Sequence, residues 1–282
     1  MLAVLGHPIG HSLSPVMHNA AIADLRKDAL YTAIDVHPLL LKQALVGLRA
    51  LGFLGANLTI PHKEQAVPLL DNVTDVAMRI GAVNTIYRDQ EQLIGDNTDG
   101  AGWAQSITRQ LQCSLHGMRA LIIGAGGAAR AVGDALLEAG CESLTLANRD
   151  VVRALTLAEY LRSWYPNKVI QAVSFPDLST IGMDLLVNTT PVGMYGHLEG
   201  RMPIEGSLLH EGLIVSDLVY RPLQTPLIEA AKAQGARVHG GLGMLVNQGA
   251  LSFAMWFGET PSLSVMERAI GEKLAIHYPQ QV

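Results

Sequence analysis

A glycine-rich turn restricts the fold of this chain more than any other part of its sequence. It follows the predicted strand Arg119–Ile123, and Gly124, Gly126 and Ala129 match the spacing G-x-G-x-x-A at the start of a helical stretch. The first glycine permits a sharp turn, the second lets a pyrophosphate approach the backbone, and the small third residue keeps helix and strand close. Free N–H groups at the helix start favour phosphate oxygens. The segment therefore predicts a Rossmann-type unit with a dinucleotide site.

The end of the next predicted strand is where such a unit distinguishes NAD from NADP. An acidic side chain there binds the ribose 2′-hydroxyl of NAD, whereas an arginine accommodates the 2′-phosphate of NADP. Asn148, Arg149, Asp150 and Arg153 offer both charges. The Asp150 carboxylate repels a 2′-phosphate, and Arg149 can stack on adenine without binding phosphate, so the sequence favours NAD. The alternative is that Asp150 and Arg153 form a solvated helix cap and helix pair.

Short apolar runs alternate with longer helical patterns, which indicates βαβ units and a largely parallel sheet. We predict strands at residues 2–5, 31–36, 55–59, 82–87, 93–95, 119–123, 143–147, 169–173, 184–188, 213–217 and 237–239. We predict helices at residues 15–25, 39–51, 100–111, 127–139, 151–164, 226–234, 244–257 and 262–276. The predicted fold class is α/β, with an N-terminal α/β substrate domain at residues 1–100 and a Rossmann-type dinucleotide-binding domain at 101–241. C-terminal helices at 242–282 are expected to return to the first domain.

The composition argues against several classes of protein. Of the 282 residues, 49% are apolar and 16% are charged, which is typical of globular domains of ordinary size. A net charge of −5 without a basic run argues against a nucleic-acid partner. Cys113 and Cys141 fit neither a disulfide framework nor a metal spacing, so we expect no metal. Without a secretion signal or an apolar span of ~18 residues, we expect a cytoplasmic protein that does not bind membranes.

Two hydroxyl residues lie just before the first predicted helix, in the segment from His11 to Pro15. Ser12 and Ser14 are two residues apart, and in an extended stretch this spacing points both side chains to one side. Together with a helix start, two hydroxyls can hold a carboxylate without an arginine. Taken alone, Ser14 is typical of an N-cap, with Pro15 at the first helical position.

Further polar residues lie at the ends of predicted strands. Asn57 and Thr59 alternate on an apolar strand, Lys63 follows a proline turn, Asn84 lies on the next strand, and Asp99 leads into a helix. Each by itself is typical of a polar loop or a cap. In open α/β sheets, however, ligands bind beyond the carboxyl ends of the strands. Together these residues predict a pocket for a small polyhydroxy acid.

The order of these motifs resembles the shikimate/quinate dehydrogenase family. The matching segments span residues 6–248 and are HSLSP, NLTIPHK, GAVNT, GDNTDG, GAGGAAR, NR, NTTPVGM, DLVYRP and GGLGMLVNQ. The resemblance implies reversible NAD(P)-dependent reduction of 3-dehydroshikimate to shikimate, a step of chorismate and aromatic amino-acid biosynthesis. Strictly NADP-dependent members typically carry a small hydroxyl residue at the position of Asp150, which again favours NAD.

The resemblance also implies roles for individual residues. Lys63 and Asp99 are the implied catalytic pair, in which the Lys63 ammonium stabilises the developing oxyanion and supplies a proton. Ser12 and Ser14 are implied to bind the substrate carboxylate. The other implied substrate-binding residues are Thr59, Asn84, Asp99, Tyr220 and Gln248. The implied cofactor-binding residues are Gly124, Gly126, Gly127, Ala128, Asn148, Arg149, Asp150, Arg153, Thr189, Met194, Val219, Gly241 and Met244.

Three alternatives stay open at this point. The first is an NAD-dependent quinate/shikimate dehydrogenase of quinate catabolism, because quinate differs from shikimate by one hydroxyl on a saturated ring. The second, a folate-type dehydrogenase of related architecture, would not need the two serines. The third, a non-catalytic nucleotide-sensing homologue, would keep the glycine turn without needing Lys63 and Asp99. The expected partners are the small-molecule substrate and a second copy of the chain in a homodimer.

Overall fold

The fold is that of a computed structural model, which describes residues 1–10, 12–196 and 198–277. His11, in the predicted serine motif, lies outside the described residues. The chain divides into two compact units. Unit 1 contains Met1–Gly102 and Val246–His277, and unit 2 contains Trp103–Leu245.

Strands and helices alternate along the chain, as expected for an α/β protein. The strands are β1 (Leu2–Gly6), β2 (Tyr31–Asp35), β3 (Gly55–Leu58), β4 (Asn72–Val73), β5 (Thr85–Asp89), β6 (Gln92–Asp96), β7 (Arg119–Ile123), β8 (Ser143–Ala147), β9 (Val169–Val173), β10 (Leu185–Asn188), β11 (Ile214–Asp217) and β12 (Arg237–Gly240). The helices are α1 (Ser14–Asp24), α2 (Leu41–Ala50), α3 (His62–Gln65), α4 (Asp75–Ile80), α5 (Asp99–Leu111), α6 (Gly127–Glu138), α7 (Val151–Trp164), α8 (Pro226–Ala233), α9 (Gly241–Phe257) and α10 (Leu263–His277).

Unit 1 is built on a mixed six-stranded sheet with the order β2-β1-β3-β5-β6-β4. β1 is buried along its whole length and runs parallel to β2 and β3, as expected for a central strand covered on both faces. β3 pairs antiparallel with β5, and β5 pairs antiparallel with β6. The ends of β1, β3 and β6 and the start of β5 therefore lie at one edge of the sheet. The segments that carry Ser12, Lys63, Asn84 and Asp99 all start or end at this edge.

Two C-terminal helices complete unit 1. α10 packs against α1, and α9 is anchored to the sheet by Trp256, whose Nε1 donates to the carbonyl of Ile86 at 2.9 Å. Glycine permits the close approach between α9 and β3, because a Cβ on Gly55 would lie 2.7 Å from Trp256 Cδ1. Gln248 lies among the first residues of α9 in this unit, near the sheet edge at which the segments of Lys63, Asn84 and Asp99 start or end.

Unit 2 is built on a fully parallel six-stranded sheet with the order β12-β11-β10-β7-β8-β9. Numbered within the unit and read from β9, the order is 3-2-1-4-5-6, which is that of the doubly wound dinucleotide-binding fold. The strand order reverses between β7 and β10, where Ile123 pairs with Asn188. Ligands bind such sheets outside the carboxyl ends of the strands at this switch point.

The structure confirms the predicted α/β class and corrects several local predictions. The pattern does not predict β4, α3 and α4, because segments of two to six residues are too short to show a hydrophobic period. The predicted cap role of Ser14 is wrong, since α1 begins at Ser14 and its N-cap Leu13 makes no side-chain hydrogen bond. In the part of the chain that the structure describes, no helix combines the length and the apolarity needed to cross a bilayer.

Candidate functional site

Lys63 and Asp99 form an ion pair in unit 1. Lys63 lies on α3, shortly after β3, and Asp99 is the first residue of α5. Lys63 Nζ donates to Asp99 Oδ2 at 2.5 Å. Only 18% of the Lys63 side chain and 5% of the Asp99 side chain are exposed, so salt and water screen the pair little. Within the described ranges only Asp99 accepts from Nζ, which leaves two of the three ammonium donors for a ligand.

Asn84 connects this pair to Gln248 on α9. Asn84 Nδ2 donates to Asp99 Oδ1 at 2.8 Å and to Gln248 Oε1 at 3.3 Å. The Thr98 N–H fixes the amide orientation by donating to Asn84 Oδ1 at 2.8 Å, and Thr98 Oγ1 donates to the Gln248 carbonyl at 3.0 Å. Asn84, Asp99 and Gln248 are all buried. Four residues that the sequence assigns to the site therefore form one connected cluster, the lysine cluster of Lys63, Asn84, Asp99 and Gln248, in which only Lys63 is partly exposed.

Ser12, Ser14 and Thr59 lie at the same edge of the sheet. Ser12 Oγ accepts from the Ser14 N–H at 3.3 Å, and Leu13 between them has a helical backbone. The predicted extended geometry of this segment is therefore wrong, and the two serines form a turn instead. Gly6 leaves room for Thr59, because a Cβ on Gly6 would lie 2.5 Å from Thr59 Cγ2. Among the residues that the structure describes, no direct hydrogen bond joins these three hydroxyls to Lys63, Asn84 or Asp99.

A second buried network lies beside the lysine cluster and contains residues that sequence analysis does not single out. Tyr31 Oη donates to Asn57 Oδ1 at 2.7 Å, and Asn57 Nδ2 donates to the Asn84 carbonyl at 3.1 Å and to Ser252 Oγ at 3.0 Å. Burial raises the pKa of Tyr31 well above its usual value, and a hydrogen bond with Ser14 opposes this rise. The network thus links Tyr31 through Asn57 to the backbone of Asn84.

The glycine turn in unit 2 joins β7 to α6. Gly124 has φ +120°, a backbone conformation that favours glycine, and its N–H donates to the Ala147 carbonyl at 2.8 Å. Gly126 has φ −98°, which any residue adopts, and a Cβ added there would meet nothing within 4 Å. Ala129 is fully buried, as expected where helix and strand pack closely. Gly127 and Ala128 are partly exposed at the helix start.

The space at Gly126 fits a pyrophosphate. The fold itself does not require glycine there, so the missing side chain leaves room for a group from outside the chain. α6 has no side-chain cap and no acidic residue in its first turn, so its free N–H groups and positive dipole end face that space. These residues therefore fit a dinucleotide phosphate.

The segment after β8 carries the residues predicted to contact the adenosine. Asp150 is the N-cap of α7 and its side chain accepts from the Val152 N–H at 3.1 Å. Asn148 Nδ2 donates to the Asp150 carbonyl at 3.0 Å. Arg149, Asp150 and Arg153 are exposed. The predicted cap is thus present, and the capping carboxylate still faces solvent where a ribose would lie.

The remaining predicted cofactor residues follow β10, β11 and β12. Thr189 donates to the Ile123 carbonyl from its N–H at 2.9 Å and from Oγ1 at 2.8 Å, which ties the end of β10 to the glycine turn. Met194 and Tyr220 are partly buried, and burial raises the pKa of Tyr220. Buried residues complete the set: Val219, Gly241 and Met244, of which Met244 packs in the core of unit 2.

Unit 2 also contains a buried carboxylate for which sequence analysis predicts no role. Asp217, at the end of β11, is fully buried and accepts hydrogen bonds from Asn188 and Thr225 side chains at 2.9 and 2.6 Å. Burial raises its pKa to about 6. Within the described ranges, no group of three or more His, Cys, Asp or Glu side chains could hold a metal ion.

These features define a class of protein. A parallel sheet in the 3-2-1-4-5-6 order with a glycine turn that fits a pyrophosphate indicates a dinucleotide-binding unit. A buried ammonium–carboxylate pair with two amides beside it indicates a polar substrate and proton transfer. The protein is an α/β oxidoreductase of the nicotinamide-dependent class.

Comparison with known proteins identifies the family. Three family models match: the shikimate dehydrogenase substrate binding domain at residues 4–86, the shikimate/quinate 5-dehydrogenase at 104–188 and the shikimate 5′-dehydrogenase C-terminal domain at 241–270. A Moorella thermoacetica protein named shikimate dehydrogenase (NADP⁺) is 46% identical over 277 residues, which cover 97% of this chain and 93% of that protein. The chain belongs to the shikimate dehydrogenase family.

Solved structures agree with this assignment. Shikimate 5-dehydrogenase from Thermus thermophilus, in complex with NADP(H) and shikimate, is 42% identical with a TM-score of 0.86, and the match covers 96% of this chain and 98% of that one. Quinate dehydrogenase from Corynebacterium glutamicum, in complex with NAD, is 30% identical with a TM-score of 0.88, covering 96% and 98%. The resemblance to the shikimate/quinate dehydrogenase family is therefore confirmed.

Proposed function

We propose that the protein catalyses the reversible reduction of 3-dehydroshikimate to shikimate, in which the ketone, NAD(P)H and a proton give the alcohol and NAD(P)⁺. The observation that carries the proposal is the lysine cluster. An ammonium, a carboxylate and two amides, held by mutual hydrogen bonds in a buried place, suit a ring with hydroxyl groups and one ketone. The name of the Moorella thermoacetica relative supports the same substrate.

Proton transfer is assigned to Lys63. The reduced nicotinamide, when bound, supplies a hydride to the carbonyl carbon. As negative charge develops on the carbonyl oxygen, the Lys63 ammonium stabilises it and donates a proton. Asp99 accepts from Nζ and so orients the ammonium, while Asn84 holds the second Asp99 oxygen.

The other substrate contacts are proposed by chemical type. Ser12 and Ser14 bind the carboxylate through their hydroxyls near the start of α1. Ring hydroxyls are bound by Thr59, Asn84, Asp99 and Gln248, and the family resemblance adds Tyr220 to the substrate contacts. Unit 1 is accordingly the substrate-binding unit and unit 2 the dinucleotide-binding unit. A cytoplasmic location and a homodimer stay predictions from the sequence.

The dinucleotide is assigned to three groups of residues in unit 2. The first group, at the pyrophosphate, is Gly124, Gly126, Gly127 and Ala128. The second group, at the adenosine, is Asn148, Arg149, Asp150 and Arg153. The third group, at the nicotinamide, is Thr189, Met194, Val219, Gly241 and Met244.

NAD is the proposed preferred cofactor, although the Moorella relative is named for NADP⁺. The Asp150 carboxylate is exposed at the N-terminus of α7. That negative charge accepts hydrogen bonds from ribose hydroxyls and repels a 2′-phosphate. The same observation supports a second candidate, an NAD-dependent quinate/shikimate dehydrogenase, and quinate dehydrogenase with NAD is among the similar structures.

Initial rates with shikimate and quinate, each with NAD⁺ and NADP⁺, test the proposal. We expect shikimate turnover with both cofactors and a kcat/KM at least ~10-fold higher with NAD⁺. A higher kcat/KM for quinate than for shikimate would favour the second candidate. No turnover of either substrate, with tight dinucleotide binding retained, would overturn the enzyme assignment and indicate a nucleotide sensor.

A further inference from the structure

Two loops of unit 2 follow neighbouring strands on one side of the switch point. The first loop, residues 189–196, follows β10, and the second, residues 218–225, follows β11. In a doubly wound sheet the dinucleotide extends across the switch point, with one mononucleotide on each half of the sheet. The adenosine half lies beyond β7 and β8, so the nicotinamide half lies beyond β10 and β11. These two loops therefore border the nicotinamide.

One buried carboxylate connects the two loops. Asp217 Oδ1 accepts from Asn188 Nδ2 at 2.9 Å and from the Val219 N–H at 3.1 Å. Asp217 Oδ2 accepts from Thr225 Oγ1 at 2.6 Å. Thr225 is also the N-cap of α8, where its Oγ1 accepts from the Ile228 N–H at 3.3 Å. The carboxylate thus holds both ends of the second loop, at Val219 and at Thr225.

Asn188 extends the connection into the first loop. Its Oδ1 accepts from the Thr190 N–H at 3.1 Å and from Thr190 Oγ1 at 2.7 Å, while its Nδ2 donates to the Val192 carbonyl at 3.3 Å as well as to Asp217. Because both ends of the amide are used, its orientation is fixed. The two loops also meet at the Tyr195 N–H, which donates to the Arg221 carbonyl at 2.8 Å.

Burying the charged Asp217 carboxylate costs free energy, which argues against a role that only fills space. Asp217 is fully buried, and burial raises its pKa to about 6, so the carboxylate is charged at neutral pH against desolvation. Groups perturbed in this way cluster at functional sites. The same strand offers a contrast in Ser216, which is equally buried but bonds to Trp103 and His239 and to neither loop.

We propose that Asp217 is a positioning residue that sets the two nicotinamide-bordering loops relative to each other, and that Asn188 transmits this to the first loop. The proposal rests on the proposed function only in assigning the dinucleotide to unit 2. It predicts a selective effect: loss of the Asp217 carboxylate weakens binding of the nicotinamide half of the dinucleotide and leaves binding of the adenosine half unchanged.

Calorimetric titration of the full chain with NAD⁺ and with ADP tests the proposal, and shikimate kinetics accompany it. We expect Asp217→Ala to weaken NAD⁺ binding at least ~10-fold while ADP binding stays within ~3-fold, and to raise the KM for NAD⁺. Asp217→Asn keeps Oδ1 as an acceptor and can donate to Thr225 Oγ1, so it should restore NAD⁺ binding to within ~3-fold. Ser216→Ala is the matched control, with lower stability and unchanged NAD⁺ affinity.

Three results would overturn the proposal: an unchanged NAD⁺ affinity in Asp217→Ala, an equal loss of NAD⁺ and ADP binding, or a failure of Asp217→Asn to rescue. Should Asp217→Ala not fold, Thr190→Val removes one hydroxyl contact to Asn188 at a partly exposed position, and we expect a weaker effect, ~2–5-fold, in the same direction. A wild-type chain that binds NAD⁺ without turning over shikimate or quinate contradicts the proposed reaction alone, and the binding comparison still tests Asp217.

Discussion

Lys63 carries the proposed proton transfer, so its removal is the most direct test at the scale of single residues. Lys63→Ala removes the ammonium that stabilises charge in the transition state, and we expect kcat for shikimate oxidation to fall by ~10²–10⁴ with a much smaller change in KM. Steady-state kinetics at saturating cofactor measure this. Lys42→Ala, an exposed lysine on α2, is the matched control. An unchanged kcat in Lys63→Ala would remove this residue from the chemistry.

Asp150 determines the proposed cofactor preference. Asp150→Ser keeps a hydroxyl that can cap α7, so stability should change by less than ~1 kcal/mol, but it removes the charge that repels a 2′-phosphate. We expect the ratio of kcat/KM for NADP⁺ to that for NAD⁺ to rise by ~10-fold or more. Rates with both cofactors measure the ratio, and Asp89→Ser, an exposed aspartate in unit 1, is the control. A ratio that stays constant contradicts the assignment.

Single residues of the site differ in how far the sequence predicts them. The sequence singles out Lys63, Asn84 and Asp99 because they lie close to apolar runs whose ends meet at one sheet edge. Ser252 is missed because its bond to Asn57 joins residues 195 positions apart, and one sequence carries no signal for such a pair. A weaker signal exists within α9, since residues 248 and 252 are one helical turn apart on the same face.

At the scale of elements, predictability follows segment length and burial. β7, β8, β9 and α7 are predicted with the bounds that the structure has, because mostly apolar strands and a long helix are bounded by clear turn residues. α4 is not predicted, although Thr74 caps it and Gly81 ends it in a left-handed conformation. Six residues span fewer than two turns, so the hydrophobic period is too short to recognise.

The glycine turn offers a matched pair of substitutions in one element. Gly124→Ala places a side chain at φ +120°, so we expect a loss of roughly 1–3 kcal/mol in the free energy of unfolding. Gly126→Ala meets nothing within 4 Å and has an ordinary φ, so stability should stay within ~1 kcal/mol while dinucleotide affinity falls ~10-fold or more. Thermal denaturation and NAD⁺ titration of both variants separate the effects. Wild-type affinity in Gly126→Ala contradicts a pyrophosphate at this turn.

At the scale of the whole molecule, buried titratable groups set how stability depends on pH. Burial lowers the pKa of His18 to about 3 and that of His239 to about 4, so the folded chain resists protons that the unfolded chain accepts below pH 6.5. The stability that these two neutral histidines contribute is complete above pH 6.5 and is lost as pH falls below it. The effect of Asp217 on stability has the opposite sign, because burial raises its pKa to about 6. As pH falls, the folded chain binds a proton at Asp217 before the unfolded chain does, so stability is lost as pH rises towards 6.

Two neutral variants of unit 2 should therefore change the acid response in opposite directions. Between pH 7 and 4.5, the titration of His239 lowers the free energy of unfolding of the wild type by roughly 2–3 kcal/mol. The variant His239→Asn lacks this group, so its stability should fall less than that of the wild type over this range. Over the same range, the protonation of Asp217 raises the free energy of unfolding of the wild type by about 2 kcal/mol. The variant Asp217→Asn lacks this gain, so its stability should fall more than that of the wild type. Urea denaturation at pH 7, 6, 5 and 4.5 measures both slopes. Because the two slopes follow from opposite pKa shifts of two buried groups in one unit, parallel slopes in the two variants would contradict the lowered pKa of His239 or the raised pKa of Asp217.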